Sequence, residues 1–316
     1  MALSIGQLAS FTQNYIVPKA VENVFGSNPL LYRLREKGIK YTGGLEYRIP
    51  LAHTATSSAG SFSGYDLLAT AANDQFTSAA IQLRQNYATV TVSGREELLN
   101  SGKEAILDLM EMKRQMAEMT IEDNLGTALQ GSNSGGKDLD GLGSIMSTTT
   151  DYAGIAVANM AAWKAKVQSL AVAGTLTKLE LQKLLGVATV GADKPTVLVT
   201  RQSVFDKIWS LWEGQQRFED GAMADAGFQS MRINGVPLVV DSHVTGSDGG
   251  SQDNWIEALN ERYLFLLTHK DCNFKVVPIP AQKDQDVKMV RILWAGNLAC
   301  SSRKMQGVIK TIDPAL

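Results

Sequence analysis

The residues able to do chemistry are few and scattered. His53, His243 and His269 are the only histidines, and none has a second histidine beside it at ligand spacing. A zinc site built on HExxH or on paired CxxC elements is therefore absent. His269 and Cys272 stand three apart, but they follow an apolar, strand-like run, and ordinary packing or surface roles are expected for both. Asp140-Gly141-Leu142-Gly143-Ser144-Ile145 begins like a dinucleotide loop yet lacks the third glycine. What precedes it, Gly131-Ser132-Asn133-Ser134-Gly135-Gly136, reads as a loop and not as the strand that such a site needs. No GxxxxGK(S/T) occurs to cradle a phosphate. The serines of Gly60-Ser61-Phe62-Ser63-Gly64 are off-centre for a nucleophile elbow, with no acid–histidine pair to complete it. Asp138 with Asp140, and Asp284 with Asp286, lack the glycine and distant glutamate of a calcium loop and read as solvated turns. The sequence thus offers no catalytic residue, no cofactor-binding residue and no metal ligand, and it is not expected to be an enzyme.

Composition narrows the class further. Of 316 residues, 44% are hydrophobic and 20% charged, enough to build a sizeable core and too apolar for wholesale disorder. Lys plus Arg number 30 against 32 Asp plus Glu, a net charge of -2, so a dedicated nucleic-acid binder with a basic excess is not expected. No signal peptide is visible in Met1-Ala2-Leu3-Ser4-Ile5-Gly6-Gln7. Nowhere do 18 apolar residues run together as a membrane span requires. Two cysteines, Cys272 and Cys300, make no disulfide framework, and the expectation is a soluble intracellular protein.

The elements that would have to position any site are more informative. Residues 1–50 carry Lys19, Arg33, Arg35, Lys37, Lys40 and Arg48 against Glu22, Glu36 and Glu46, with their apolar residues spread out. Such a segment could cover part of a core and looks too thin to make one; it reads as an extended arm or as a pair of short surface helices. Between Ala52 and Ala80, 19 of 29 residues are Ala, Ser, Thr or Gly, and only Asp66 and Asp74 are charged. Small side chains bury too little area to offset the entropy of ordering so long a loop. Its flanks, Leu45–Leu51 and Ile81–Val92, alternate as strands do. The pattern predicts a long hairpin that projects from the body and rests on a neighbour.

Ser93-Gly94-Arg95-Glu96 is a capping box, and apolar residues from Leu98 to Leu129 then recur at helical spacing. One spine helix from Ser93 to Gln130, about ten turns, is expected. Two more helices are expected, over Ala158–Ala171 and after Thr177, whose Glu180 stands at the capping-box position. From there the chain alternates as α/β: a strand at Thr196–Val199, then a helix in which Val204, Phe205, Ile208, Leu211 and Trp212 share a face. Trp209 is assigned to the same buried face. Asn234-Gly235 marks a hairpin, and Pro237 suggests that its second strand lies at a sheet edge. Strands follow at Tyr263–Leu267 and Phe274–Val277. Val287–Trp294 and Met305–Ile312 read as two more, joined across Gly296 and Arg303. The two ends of the chain are expected to share one subdomain, with an α/β domain inserted between them.

This order of elements resembles that of the tailed-phage major capsid proteins with the Hong Kong 97-type fold, over essentially the whole chain. The closing stretch Asp286-Val287-Lys288-Met289-Val290-Arg291-Ile292-Leu293-Trp294-Ala295-Gly296-Asn297-Leu298, followed by Arg303-Lys304-Met305-Gln306-Gly307-Val308, looks like the last strands of these coat proteins. The resemblance implies an α+β fold: an N-terminal arm at 1–44, an E-loop hairpin at 45–92 and a peripheral domain at 93–193 with its spine helix at 93–130. It further implies an inserted α/β axial domain at 194–273 and closing strands at 274–316 that return to the peripheral domain. It implies no cofactor, and self-assembly into pentamers and hexamers of an icosahedral head in the virion, assembled in the host bacterial cytoplasm. The partners it implies are further copies of the chain, a portal, a separate scaffold protein, cement proteins, and non-specific contact with packaged double-stranded DNA, with no membrane. Some family members cross-link subunits through an E-loop lysine. No lysine lies between Tyr41 and Gly102 here, so no such cross-link is expected. The basic arm and the Arg303, Lys304, Lys310 group could face the genome or form salt bridges between subunits. Two other readings stay open: an encapsulin-like bacterial compartment shell within the same fold, and an α/β enzyme with an unrecognised site.

Overall fold

The structure, a computed structural model, describes residues 28–70, 74–99, 109–133, 135–212, 230–244, 254–279 and 286–313. Most of the expected arm lies outside these residues. Asn28 caps the first helix, α1 (Pro29–Glu36), by accepting from the Leu31 N–H, and Pro29 stands at the helix start where its missing N–H is no loss. Leu30, Leu31 and Leu34 are buried, so this stretch helps to make a core. Its charges are also used inside the subunit: buried Glu261 accepts from Arg33 Nη2 at 2.9 Å and from Lys37 Nζ at 2.7 Å.

After β1 (Ile39–Tyr41), β2 (Glu46–Ala52) and β3 (Phe76–Gln82) pair antiparallel from Glu46 opposite Gln82 to Ala52 opposite Phe76. The hairpin is present, but its return strand starts at Phe76, inside the small-residue stretch. Thr77, Ser78 and Ala79 have ladder groups like any residue, and side-chain size hid them. β4 (Arg84–Ser93) is a separate strand. The capping box at its end is reciprocal: Ser93 N donates to Glu96 Oε2 at 3.1 Å, and Glu96 N to Ser93 Oγ at 3.3 Å. Where one spine helix was expected, the described residues form α2 (Gly94–Leu99) and α3 (Leu109–Gln130); residues 100–108 lie outside the description.

α4 (Leu142–Ile145) is a single turn. The helix expected over Ala158–Ala171 is absent. The chain instead makes a 3-10 turn at Ala161–Trp163 and then β5 (Lys166–Gln168), because a free sheet edge takes its backbone: β5 pairs in parallel with Gly307–Ile309. Thr177 caps α5 (Lys178–Ala188) through the Glu180 N–H, as the spacing predicts. β6 (Val197–Thr200), α6 (Gln202–Trp212), β7 (Ser230–Ile233) and β8 (Val236–Val240) follow. Asn234 and Gly235 between β7 and β8 have φ of 51° and 78°, the positive pair of a type I′ turn. β9 (Asn254–Leu259) was not expected; Glu257 interrupts what would otherwise read as an apolar run. β10 (Leu264–His269), β11 (Lys275–Ile279), β12 (Val287–Cys300) and β13 (Gly307–Ile312) complete the chain. Gly296 lies inside β12 and is no junction. A Cβ there would stand 2.3 Å from the Leu267 carbonyl of the paired strand.

The chain divides into two compact units. The smaller holds residues 87–121 and 276–292 of the described chain. In it the Gly94 N–H donates to the Asp286 carbonyl at 3.0 Å, and Lys113 reaches both the Thr91 carbonyl and Glu96, at 3.1 Å each. Arg291 lies over the Tyr87 ring.

The larger unit contains a six-stranded mixed sheet in the order β5-β13-β9-β6-β8-β7. On one face Leu181, Leu184 and Leu185 of α5 and Val204, Phe205 and Ile208 of α6 meet Leu198, Leu238, Ile256, Ala258 and Ile309 in a single apolar cluster. β8 is interior, not the edge that Pro237 suggested. Its parallel pairing with β6 begins only at Leu238, so the missing Pro237 N–H interrupts no ladder. In the same unit β10 pairs with β1 and with the Gly296–Cys300 end of β12. Ile81, Leu267 and Ala299, with Tyr47 and Phe265 against them, seat the hairpin base on these strands.

Trp209 lies outside the buried face of α6. It is 44% exposed and stacks on Phe205 with ring centroids 6.1 Å apart. Trp209→Glu is therefore expected to lower stability by only about 1 kcal/mol, the worth of one aromatic pair. Ile208→Glu, at a fully buried position, should prevent folding of the α/β sheet. Thermal melts followed by circular dichroism would test both; a Trp209→Glu subunit that fails to fold would contradict the placement.

Candidate functional site

The residues that sequence motifs singled out are spread apart by the fold. His269 packs edge-on to Tyr41, and its Nδ1 accepts from the Asp271 N–H, which is a turn and not a site. Cys272 and Cys300 are free, and burial pushes the Cys300 thiol up to about 12. The glycines of Asp140-Gly141-Leu142-Gly143 serve close backbone packing. A Cβ on Gly141 would fall 2.4 Å from the Ala128 carbonyl and 2.5 Å from that of Gly131, at the end of α3. Asp140, expected as a solvated turn, is instead a tie: its Oδ2 accepts from Asn297 Nδ2 at 2.7 Å, and its N–H donates to Asn297 Oδ1 at 2.9 Å. Asn297 Nδ2 also reaches the Gln82 carbonyl at 2.7 Å, which pins the base of the hairpin. Among the described residues no group of three or more His, Cys, Asp or Glu side chains is placed to hold a metal ion.

Three buried groups escaped the sequence reading. Arg303 is wholly buried, so the suggested Arg303, Lys304, Lys310 group does not exist as a surface. Its guanidinium donates to the carbonyls of Ser144, Ile145, Ser147 and Thr150 at 2.6 to 3.1 Å. Lys310 is drawn to the Trp255 ring, 4.2 Å from its centroid. His243, which looked isolated, stands between two carboxylates: Nδ1 is 3.1 Å from Asp241 Oδ1 and Nε2 is 2.9 Å from Asp123 Oδ1. The Asp241 bond raises its pKa, burial opposes that, and Asp123 adds to it. Gly126 leaves room on α3 for this contact, since a Cβ there would meet His243 at 3.0 Å.

Glu257, in the middle of β9, is fully buried, and among the described residues neither of its carboxyl oxygens has a hydrogen-bond partner. It pairs in register with Val199 and Val308, so its side chain lies on the sheet face away from the α5–α6 cluster. Burial and the nearby Asp241 charge push its pKa up to about 8, while Gln130 and Lys310 pull weakly the other way.

The surface feature that stands out is the hairpin tip. Tyr65 and Leu67 are fully exposed, and Phe62, Leu68 and Phe76 are each more than 60% exposed. Five large apolar side chains are thus left in water along the β2–β3 hairpin and its connection.

No protein-family model matches the sequence, and no curated protein matches it. Solved structures do match, over nearly the whole length of both chains. The capsid of a native GTA particle has a TM-score of 0.72 and 11% identity, with 99% of each chain covered. The holo-SrpI encapsulin of Synechococcus elongatus has a TM-score of 0.70 and 12% identity, with 100% of this chain and 98% of that one covered. The capsid of cyanophage A-1(L) has a TM-score of 0.68 and 17% identity, with 96% and 98% covered. At such identities the likeness is one of fold alone, and the fold of this chain is the α+β fold of the Hong Kong 97-type capsid proteins.

Proposed function

We propose that this chain is a shell-forming structural protein: the major capsid protein of a tailed phage, assembling into pentamers and hexamers of an icosahedral head around double-stranded DNA. The observation that carries the reading is the match to shell proteins over 96–100% of this chain. The exposed hairpin tip supports it, because burial between adjacent subunits would cover what the monomer leaves in water. On this reading the protein has no enzymatic activity. The segments 1–44, 45–92, 93–193, 194–273 and 274–316 act as arm, E-loop, peripheral domain, axial domain and closing strands. Its place is the virion, reached by assembly in the host cytoplasm with a separate scaffold, a portal and cement proteins. The encapsulin match is as extensive as the capsid matches and favours one second reading, a bacterial compartment shell.

Negative-stain electron microscopy with light scattering on the purified protein tests the shell. Closed particles, or rings of five and six, are the expected result. A monodisperse monomer that stays monomeric with scaffold supplied would overturn it. Packaged double-stranded DNA in native particles would then favour the phage head, and a co-purifying enzyme the compartment.

Removing residues 57–70 should leave a folded subunit that no longer closes a shell. The hairpin base, held by Asn297 and the Ile81, Leu267 and Ala299 cluster, is outside the deletion. Circular dichroism and microscopy on one sample would check this; normal particles would show that the tip has no part in closure.

A further inference from the structure

The larger unit contains a cavity of about 350 Å³. Three lysines, Lys164, Lys166 and Lys304, line it, together with Thr148, Val167, Val187 and three alanines, and no carboxylate. The fold brings the lysines together. Lys164 and Lys166 are two apart on extended backbone and so project to one side of the edge strand β5. The parallel register that sets Lys166 opposite Gly307 brings Lys304, three residues upstream in a 3-10 turn, alongside them. Its neighbour Arg303 turns inward, while Lys304 stays exposed. Among the described residues none of the three lysines has an ion-pair partner, whereas Lys37, Lys113 and Lys183 each hold a glutamate. Three uncompensated positive charges at one place stand out in a chain of net charge -2.

The lining also indicates what would bind. Lysine ammonium groups are point charges on flexible stems and bind phosphate oxygens without the bidentate geometry that an arginine fork imposes on phosphate and carboxylate alike. No arginine, asparagine or glutamine lines the cavity to read base edges. We propose that this cavity binds the phosphate backbone of nucleic acid without regard to sequence, each lysine neutralising one phosphate. The proposal rests on the shell reading for its biological sense, because a container subunit needs a weak, sequence-blind contact with its genome.

The test is fluorescence anisotropy of the full-length protein with two labelled 30-base-pair DNA duplexes of unrelated sequence, titrated at several NaCl concentrations. Each neutralised phosphate contributes about 0.9 to the slope of log affinity against log salt. The triple variant K164Q/K166Q/K304Q should therefore lose about 2.7 from that slope, equally for both duplexes. The control K137Q/K194Q/K270Q, which removes three lysines that do not line the cavity, should change less. An unchanged slope in the first variant, an equal loss in the control, or a preference for one duplex would overturn the proposal. So would a cavity variant that binds DNA normally but no longer assembles, since the cavity would then take an acidic segment of another subunit. Microscopy of the same samples separates the two readings. Closed shells with an unchanged slope sink the cavity and leave the shell standing, and the slope loss in a protein that never forms shells does the reverse.

Discussion

Replacing Arg303 with methionine is expected to destabilise the subunit by about 4 kcal/mol. The methylene stem would be matched in volume, so the loss isolates the guanidinium. That group donates to Ile145 through Nε at 2.9 Å, to Thr150 through Nη1 at 3.1 Å, and to Ser144 and Ser147 through Nη2 at 2.9 and 2.6 Å. Among the described residues no carboxylate is hydrogen-bonded to it; carbonyl oxygens at the end of α4 and in the turn beyond offset the charge. Removing the donor leaves several of those carbonyls without a partner where water cannot replace it. Tyr152 lies under the guanidinium and ties the same segment to β12: its hydroxyl donates to the Leu298 carbonyl at 3.2 Å and accepts from the Cys300 N–H at 3.0 Å. Arg303→Lys should give an intermediate loss, since it keeps the charge and forfeits the fork. Urea denaturation of the unassembled subunit would measure both. A loss under about 1 kcal/mol for Arg303→Met would mean that the carbonyls find other donors.

Glu257→Gln should act in the opposite direction and depend on pH. The folded-state pKa of Glu257, about 8, lies above the unassociated value of 4.5, so the folded state holds its proton longer than the unfolded chain does. Stability is therefore intact below pH 4.5 and is lost progressively as pH rises to about 8. At about 1.4 kcal/mol per pH unit the loss is about 3 kcal/mol at pH 7 and about 4 at pH 8, where the folded group is itself half ionised. Glutamine copies the protonated acid and does not titrate. The variant should match the wild type at pH 4 and exceed it by those amounts at pH 7 and 8. His243 contributes with the same sign. Its pKa is raised by Asp241 and Asp123, so its share is full below the ordinary histidine range and fades as pH climbs through its own folded value. Between pH 6 and 8 some slope should thus survive in Glu257→Gln and shrink further with His243→Gln added. Equal stability of wild type and Glu257→Gln at pH 8 would mean that the carboxylate is not held neutral.

What could be read from the sequence was chemistry completed within four residues. Ser93 with Glu96, Thr177 with Glu180, and Asn234-Gly235 each fix a cap or a turn by themselves, and each is found where the spacing put it. The order of elements along the chain was legible in the same way, and it carried the fold. What could not be read was completed by residues far away in sequence. Arg303 needs carbonyls 153 to 159 residues upstream, and His243 needs a carboxylate 120 residues upstream. Nothing local tells a buried arginine from the exposed Lys304 beside it. β5 was misread as helix because its pairing partner, β13, lies at the other end of the chain. β9 was missed because a glutamate in a strand normally signals solvent, and here it is sealed in at the cost of its ionisation. The lysine cavity combines residues 164, 166 and 304, which no linear pattern connects.

The hairpin tip carries large apolar side chains, and its only charges between Ala52 and Phe76 are Asp66 and Asp74. A contact made through such a tip responds to salt in the reverse sense from one made through lysines. Screening weakens ionic contacts as the Debye length shrinks from about 10 Å at 0.1 M to about 3 Å at 1 M, whereas sulfate or phosphate salts strengthen apolar burial. On the shell reading, ionic strength would then work as a sorting variable for the particles. A wash in concentrated sulfate would weaken any lysine–polyanion contact and at the same time tighten apolar contacts between subunits.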